Sequence, residues 1–238
     1  MKRKRKQEQN NNFKAQRRQI LNHNTNFVIQ EAYKSLRTNI NFTIRGKKCK
    51  RFCLTSAAAG EGKSITILNL AISIAQTGKK VLLIDADLRH PAIARLLVES
   101  AAPGLAEVLT GEEEETEAIR KDVYPNLDIL FSGEIPPNPS ELLGSEGMQE
   151  LIDRCSEKYN YILVDVPSVG TVTDACIVAS VLDGVLLLAW QNRSDRDAVR
   201  KAVNSLQLTG ANVLGYVMNG TMPDKKDFTH IIDMETRV

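Results

Sequence analysis

The sequence predicts an α/β fold of three layers, in which a mainly parallel sheet is covered by helices on both faces. Six short apolar runs alternate with segments of helical periodicity, and the runs are apolar at consecutive positions. Strands with that pattern are buried on both faces, as in parallel sheets. The predicted strands are Phe52–Thr55, Val81–Ile84, Leu127–Phe131, Tyr161–Val164, Val185–Ala189 and Val213–Met218.

Helices are predicted between these strands and also before the first one. Apolar residues recur at helical spacing from Phe27 to Phe42, which predicts an amphipathic helix within residues 27–45. Ser or Thr precedes several of the later helices, as is typical of N-caps. These later helices are Lys63–Thr77, Glu146–Lys158, Asp174–Leu182 and Asp195–Leu208.

Length and composition favour one globular unit without a membrane span. A chain of 238 residues with 42% apolar residues can bury one large core. Its formal charge of +2 gives no reason to expect nucleic-acid binding. The sequence has no 18-residue apolar run and no signal peptide, so we expect a cytoplasmic protein. Reduced core thiols, rather than disulfides or zinc ligands, are expected of the cysteines Cys49, Cys53, Cys155 and Cys176.

The two ends of the chain differ in composition from the rest. Residues 1–25 form a polar tail that begins with the cationic run Lys2–Lys6, and we expect it to be disordered. The run is either a solvated tail or a weak peripheral contact with an anionic membrane surface. Residues 26–220 make up the predicted domain, and residues 221–238 form a C-terminal tail.

A phosphate-binding loop is predicted directly after the first strand. The segment Ala57–Ser64 ends in Gly-Lys-Ser and opens a helix, which is the setting of a Walker A motif. Glycines let backbone amides turn toward phosphate oxygens, and the lysine reaches the terminal phosphates. The motif predicts binding of ATP with Mg²⁺. The residues expected to contact nucleotide are Ala58, Ala59, Gly60, Glu61, Gly62, Lys63, Ser64 and Ile65.

Acidic residues follow two of the other predicted strands. Asp85 and Asp87 follow one strand two residues apart, and Asp165 ends another as in a Walker B segment. Together they predict three carboxylates around one metal site, with Ser64, Asp85 and Asp165 as ligands of Mg²⁺. Lys63, Asp85 and Asp87 are the predicted catalytic residues. Asp87 is favoured as the base that accepts the proton of the nucleophile, although the spacing does not assign the two roles.

Two further features allow two interpretations each, and a third is expected to be structural. Arg89 either binds phosphate or pairs with a neighbouring acid. Asn219, after the last strand, either recognises the adenine edge or forms a turn with the next glycine. The segment Pro136–Leu143 is a stiff loop, and Ser140 within it is expected to cap the next helix.

Five ordered motifs resemble the bacterial tyrosine kinases encoded with capsule and exopolysaccharide synthesis proteins, especially those made as a separate cytoplasmic chain. The resemblance covers nearly everything after the basic tail. The fold that this resemblance implies is that of the P-loop nucleotide hydrolases. The motifs are Glu31–Ile40, Gly60–Ser64, Asp85–Pro91, Pro136–Leu143 and Asp165–Gly170.

The resemblance implies a protein-tyrosine kinase that uses ATP and Mg²⁺ to phosphorylate protein substrates. It also implies assembly as a ring and activation by a transmembrane adaptor of the polysaccharide co-polymerase type. The oligomerisation stripe of the family corresponds here to Glu31, Lys34 and Arg37. Lysine replaces the usual middle arginine, and it lacks the planar group needed for bidentate pairing. Without the family, the same stripe is a solvated helix face.

Two departures from the family keep other functions open. The family usually ends in a tyrosine cluster, but the last tyrosine here is Tyr216, and Ser168 replaces a common proline. One alternative is a partitioning-type ATPase switch, which carries an extra lysine in the loop where this chain has Ala58. The other is a non-catalytic ATP-binding subunit of the polysaccharide export machinery.

Overall fold

A seven-stranded sheet forms the centre of the molecule, which is a computed structural model that describes residues 14–221. The strand order is β3-β4-β2-β5-β1-β6-β7. All neighbours are parallel except β3 and β4. The strands are β1 Lys50–Ser56, β2 Val81–Asp85, β3 Arg120–Tyr124, β4 Leu127–Leu130, β5 Tyr161–Asp165, β6 Gly184–Trp190 and β7 Val213–Asn219.

Helices cover both faces of this sheet, and each face has its own apolar cluster. In the strands of the sheet centre, alternate side chains enter the two clusters, which explains their continuous apolar sequence. The three-layer α/β prediction is confirmed. The helices are α1 Phe27–Thr43, α2 Lys63–Ala75, α3 Ile93–Leu97, α4 Leu105–Thr110, α5 Glu115–Ala118, α6 Pro139–Leu143, α7 Glu146–Lys158, α8 Asp174–Ser180 and α9 Arg196–Leu208.

The six predicted strands and five predicted helices are present, with ends that differ by a few residues. Strand β3 was not predicted, because its residues are only partly buried and lack an apolar run. Helices α3 to α6 were also missed, since each has six residues or fewer and gives too short a pattern. Asp195, rather than the Ser194 before it, is the N-cap of α9: its carboxylate accepts hydrogen bonds from two backbone amides.

The segment 14–25 was predicted to belong to a disordered tail, but part of it packs on the domain. Ile20 and Leu21 are buried in the core cluster that contains α2. The buried side chain of Asn69 in α2 accepts a hydrogen bond from the Leu21 amide at 2.9 Å and donates one to the Gln19 carbonyl at 2.8 Å. The sequence did not predict this packing, because the apolar pair Ile20-Leu21 is short and lies in a basic, polar segment. The cationic run Lys2–Lys6 lies outside the described residues.

The four cysteines are free and buried, in agreement with the prediction of reduced core thiols. Burial raises the pKa of the Cys53 and Cys155 thiols, which keeps them protonated. Within residues 14–221, none of the helices is long and apolar enough to cross a bilayer.

Candidate functional site

The predicted phosphate loop lies at the carboxyl end of β1 and leads into α2. Gly60 and Gly62 have φ values of 78° and 93°, in the left-handed region that favours glycine. A Cβ atom on Gly62 would collide with the side-chain amide of Asn219. Lys63, the first residue of α2, is buried. The loop therefore has the turn, the close backbone approach and the helix N-terminus that cradle a phosphate.

Two neighbouring segments hold this loop in place. The buried carboxylate of Glu61 accepts a hydrogen bond from the hydroxyl of Ser194, which lies between β6 and α9. The Asn219 amide donates to the Glu61 carbonyl at 2.9 Å. Asn219 therefore lies beside the loop, and its side-chain oxygen also accepts the Gly220 amide at 2.8 Å, as a turn residue does. The sequence analysis did not predict that Ser194 contacts the phosphate loop.

The acidic residues at the ends of β2 and β5 meet beside this loop. Asp85 and Asp165 are register partners on the two adjacent strands, and both are fully buried. Asp85 accepts hydrogen bonds from the amides of Asp87 at 3.3 Å and Ile93 at 3.1 Å, so it also holds the start of α3. Both carboxylate oxygens of Asp165 are buried without a hydrogen-bond partner. Of the two acids, Asp165 is therefore the one whose oxygens accept no hydrogen bond within the geometric limits.

Burial changes the proton affinity of this pair. It raises the pKa of Asp165 to about 7, although the charge of Lys63 and the hydroxyl of Ser64 oppose the change. Burial, together with the charge of Asp165, raises the pKa of Asp85 well above its ordinary value. Two buried acids on adjacent strands repel each other when both are ionised. A cation between them and the nucleotide phosphates would remove that repulsion.

The residues present fit a magnesium ion held jointly with a nucleotide. Mg²⁺ takes one or two carboxylates plus substrate phosphate, rather than a cage made entirely of protein. Within residues 14–221 no group of three or more His, Cys, Asp or Glu side chains is placed to hold a metal ion. The Asp87 carboxylate accepts the His90 amide at 3.0 Å, and its place as a third carboxylate at the metal stays a prediction. Ser64, Asp85 and Asp165 stay the predicted metal-binding set.

Arg89 pairs with an acid, one of the two interpretations that its sequence allowed. Its guanidinium donates to the fully buried Asp174 through Nε at 2.7 Å and Nη2 at 3.1 Å. The hydroxyl of Ser140 donates to the same carboxylate at 2.6 Å. Burial alone would raise the pKa of Asp174, but the hydrogen bonds from Arg89 and Ser140 lower it.

This ion pair connects three segments that carry sequence motifs. Arg89 follows Asp87, Ser140 lies in α6, and Asp174 begins α8 after the loop that follows Asp165. Ser140 was expected to cap the next helix, which is incorrect, because α6 already begins at Pro139 and the hydroxyl points to Asp174. Through Ser140, the motif Pro136–Leu143 therefore contacts the segments that follow Asp87 and Asp165.

The predicted oligomerisation residues lie on α1. Glu31 and Lys34 form an exposed ion pair at 2.7 Å within the helix. Arg37 donates to the Ser73 carbonyl at 2.5 Å and so ties α1 to α2, the helix that begins with Lys63. Their role in subunit contacts stays a prediction.

Comparisons with known proteins agree with this geometry. Residues 50–193 match the family described as AAA domain. The chain is 40% identical over 190 residues to the tyrosine-protein kinase YwqD of Bacillus subtilis, covering 80% of each chain. It is 37% identical over 191 residues to the tyrosine-protein kinase CpsD of Streptococcus agalactiae, covering 80% of this chain and 82% of that one. This chain belongs to the bacterial tyrosine kinase family.

Solved structures of the family have the same fold. The kinase domain of the Escherichia coli tyrosine kinase ETK matches with a TM-score of 0.79 at 32% identity, over 82% of this chain and 77% of that one. The chimerical protein CapA2B2 matches with a TM-score of 0.80 at 33% identity, over 84% and 88%. The septum site-determining protein MinD of Pyrococcus horikoshii, complexed with Mg-ADP, shares the fold at 24% identity and a TM-score of 0.63. The resemblance in the five motifs is confirmed.

Proposed function

We propose that this protein is an ATP-dependent protein-tyrosine kinase that regulates capsular or exopolysaccharide biosynthesis. The observation that carries the proposal is the buried, unpartnered carboxylate of Asp165 beside a glycine-rich loop and the buried Lys63. A buried carboxylate without a partner is costly unless a ligand completes the site. The relatives named tyrosine-protein kinases support phosphoryl transfer to tyrosine as the reaction.

Each residue of the site has a task in this reaction. Backbone amides of residues 58–65 and the Lys63 ammonium would bind the phosphates, with Ser64, Asp85 and Asp165 holding Mg²⁺. Bound Mg²⁺ neutralises charge that develops on the transferred phosphoryl group. Asp87 would accept the tyrosine proton, because the phenol has an ordinary pKa near 10 and is a poor nucleophile until deprotonated. Asp85 fixes the backbone of the loop that carries Asp87.

Phosphotyrosine formation tests this proposal directly. The purified chain with ATP, Mg²⁺ and a tyrosine-containing protein should produce phosphotyrosine, and Lys63→Met should reduce it at least about 100-fold. Lys80→Met is the matched control, because Lys80 is exposed at the opposite end of the sheet. Hydrolysis of ATP without phosphotyrosine on any protein would contradict the kinase and favour the partitioning-type switch.

Mass spectrometry of the product identifies the acceptor. Among the five tyrosines of the chain, Tyr216 is exposed, with 60% of its surface accessible. The other four are buried or half-buried: Tyr33, Tyr124, Tyr159 and Tyr161. Phosphorylation of the chain by itself is therefore expected at Tyr216, whereas a separate substrate leaves all five unmodified.

Assembly and recruitment form the second part of the proposal. A ring would form through the helix face that carries Glu31 and Lys34, and a membrane adaptor would recruit and activate the kinase at the inner face of the membrane. The exposed Glu31–Lys34 pair supports this face as a contact surface. Light scattering of wild type and Glu31→Lys tests it: an unchanged mass in the variant contradicts the contact.

A further inference from the structure

The order of the strands sets the direction in which a bound nucleotide would lie. The phosphate loop follows β1 at the centre of the sheet. The acids that would face Mg²⁺ and the terminal phosphate are on β5 and β2, to one side of β1. The nucleoside would then extend to the other side, over the ends of β6 and β7. This step rests on the proposed function, since it assumes a nucleotide in the loop.

An aromatic residue and a cation lie at the ends of these two strands. Trp190 is the last residue of β6, and Gly220 follows β7. A Cβ atom on Gly220 would overlap the Trp190 ring, so the ring packs directly against the glycine backbone. The guanidinium carbon of Arg193 lies over that ring, 5.3 Å from its centroid. One face of the Arg193 guanidinium thus lies against the Trp190 ring.

The same guanidinium reaches the rim of the phosphate loop. A Cβ atom on Gly60 would lie 3.7 Å from Nη2 of Arg193. Arg193 is exposed, and in the described part of the chain its guanidinium has no hydrogen-bond or ion-pair partner. The next residue, Ser194, is bonded to Glu61 of the loop and accepts the Trp190 amide at 2.6 Å. The backbone that carries Arg193 is therefore fixed, while its donors stay available.

We propose that Arg193 binds the base of a purine nucleotide, with its planar guanidinium stacked on the ring system. An arginine held against an aromatic side chain keeps one flat face for a second π-system. Its place on the β6 side of the loop directs it to the nucleoside, whereas Lys63 and the acids serve the phosphates. The contact gives affinity for the base and is separate from the chemistry at the terminal phosphate.

Calorimetry with and without the base tests this assignment. Arg193→Ala should weaken binding of Mg-ATP about five-fold and leave binding of Mg-tripolyphosphate, which has no base, unchanged. Arg193→Lys should recover only part of the loss, because lysine has no plane to stack. Arg200→Ala is the matched control, since Arg200 is exposed one turn along α9 and pairs with Asp197.

The single tryptophan provides a second measurement on the same proteins. Trp190 is the one tryptophan of the chain, so its fluorescence reports directly on this region. Mg-ATP should change its emission in wild type, with the midpoint shifted to higher concentration in Arg193→Ala. Equal affinity of wild type and Arg193→Ala for Mg-ATP overturns the inference, as does an equal loss for tripolyphosphate. Absence of binding to wild type instead contradicts the proposed function.

Discussion

The half-buried Asp128 at the amino end of the sheet and the fully buried Asp165 at the carboxyl end differ in their hydrogen bonds. At the amino end, Asp128 accepts hydrogen bonds from the Tyr159 hydroxyl at 2.6 Å, the Asp122 amide at 2.8 Å and the Lys121 ammonium at 3.0 Å. At the carboxyl end, Asp165 has no partner for either oxygen. The sheet therefore carries a hydrogen-bonded carboxylate on β4 and an unbonded one on β5, at opposite ends of two strands that both pair with β2.

The proton affinities follow this difference. Burial would raise the pKa of Asp128, but the hydrogen bonds from Tyr159, the Asp122 amide and Lys121 lower it. At Asp165 the charge of Lys63 and the hydroxyl of Ser64 offset burial only in part, and its pKa is raised to about 7. The hydrogen-bonded acid serves the fold. The acid without hydrogen bonds costs stability, which the proposed Mg²⁺ and nucleotide would offset.

The largest expected effect comes from Asp165→Asn. Phosphoryl transfer should fall at least about 100-fold, because the variant loses a charged ligand for Mg²⁺. Without nucleotide at pH 8, the variant should be more stable than wild type by about 1 kcal/mol, since an unpaired buried charge is removed. Urea unfolding and kinase assays measure the two effects. If the variant is less stable than wild type and still active, Asp165 stabilises the fold as Asp128 does and is not a ligand of Mg²⁺.

A second effect is expected at the ion pair beside the acidic loops. Arg89→Ala leaves Asp174 buried and without its charged partner, which should cost about 2 kcal/mol of unfolding free energy. Phosphoryl transfer should also fall, since the loop that carries Asp87 loses an anchor. Arg89→Lys should recover the charge but not the two-nitrogen contact.

Arg154→Ala is the matched control for this arginine. Its partner Glu115 keeps Lys158 at 2.8 Å, so we expect a loss below about 1 kcal/mol and no change in kinase activity. Urea unfolding compares the two variants. An equal loss of unfolding free energy in the two variants would show that Arg89 does not stabilise the ionised carboxylate of Asp174.

The smallest effect is expected at the amino end. Asp128→Asn should lower the unfolding free energy by about 1 kcal/mol at pH 7 and leave ATP binding unchanged. Because the folded-state pKa of Asp128 is lowered, its contribution is present above the ordinary pKa, near pH 4, and is lost as the pH falls further. The difference between wild type and variant should therefore shrink between about pH 4 and pH 2. Impaired ATP binding in the variant would mean that the two ends are coupled.

Much of the fold was predictable, because the central strands carry continuous apolar sequence. Strand β3 was not, since it lies at the sheet edge, where two of its residues are exposed and the other three are only partly buried. Residues 14–25 escaped prediction for another reason. Their packing depends on Asn69, a buried polar residue 48 positions after Leu21, and no periodicity reports such a contact.

The residues of the candidate site also fall into those that local motifs predict and those that only long-range contacts bring in. Gly60 to Ser64 and Asp165 are local motifs, so their chemistry could be inferred from spacing alone. The partners Asp174 and Ser194 could not be inferred, because they contact Arg89 and Glu61 from 85 and 133 residues away. Their hydrogen bonds exist only after the sheet has brought distant loops to one edge.

Calorimetric titration of the wild-type protein with ATP, with and without Mg²⁺, tests the central claim most directly. We predict binding that requires Mg²⁺ and that raises the unfolding temperature, because the ligand neutralises the unpartnered acid at the end of β5. ATP uptake of equal affinity without Mg²⁺, or no uptake at all, would contradict the account.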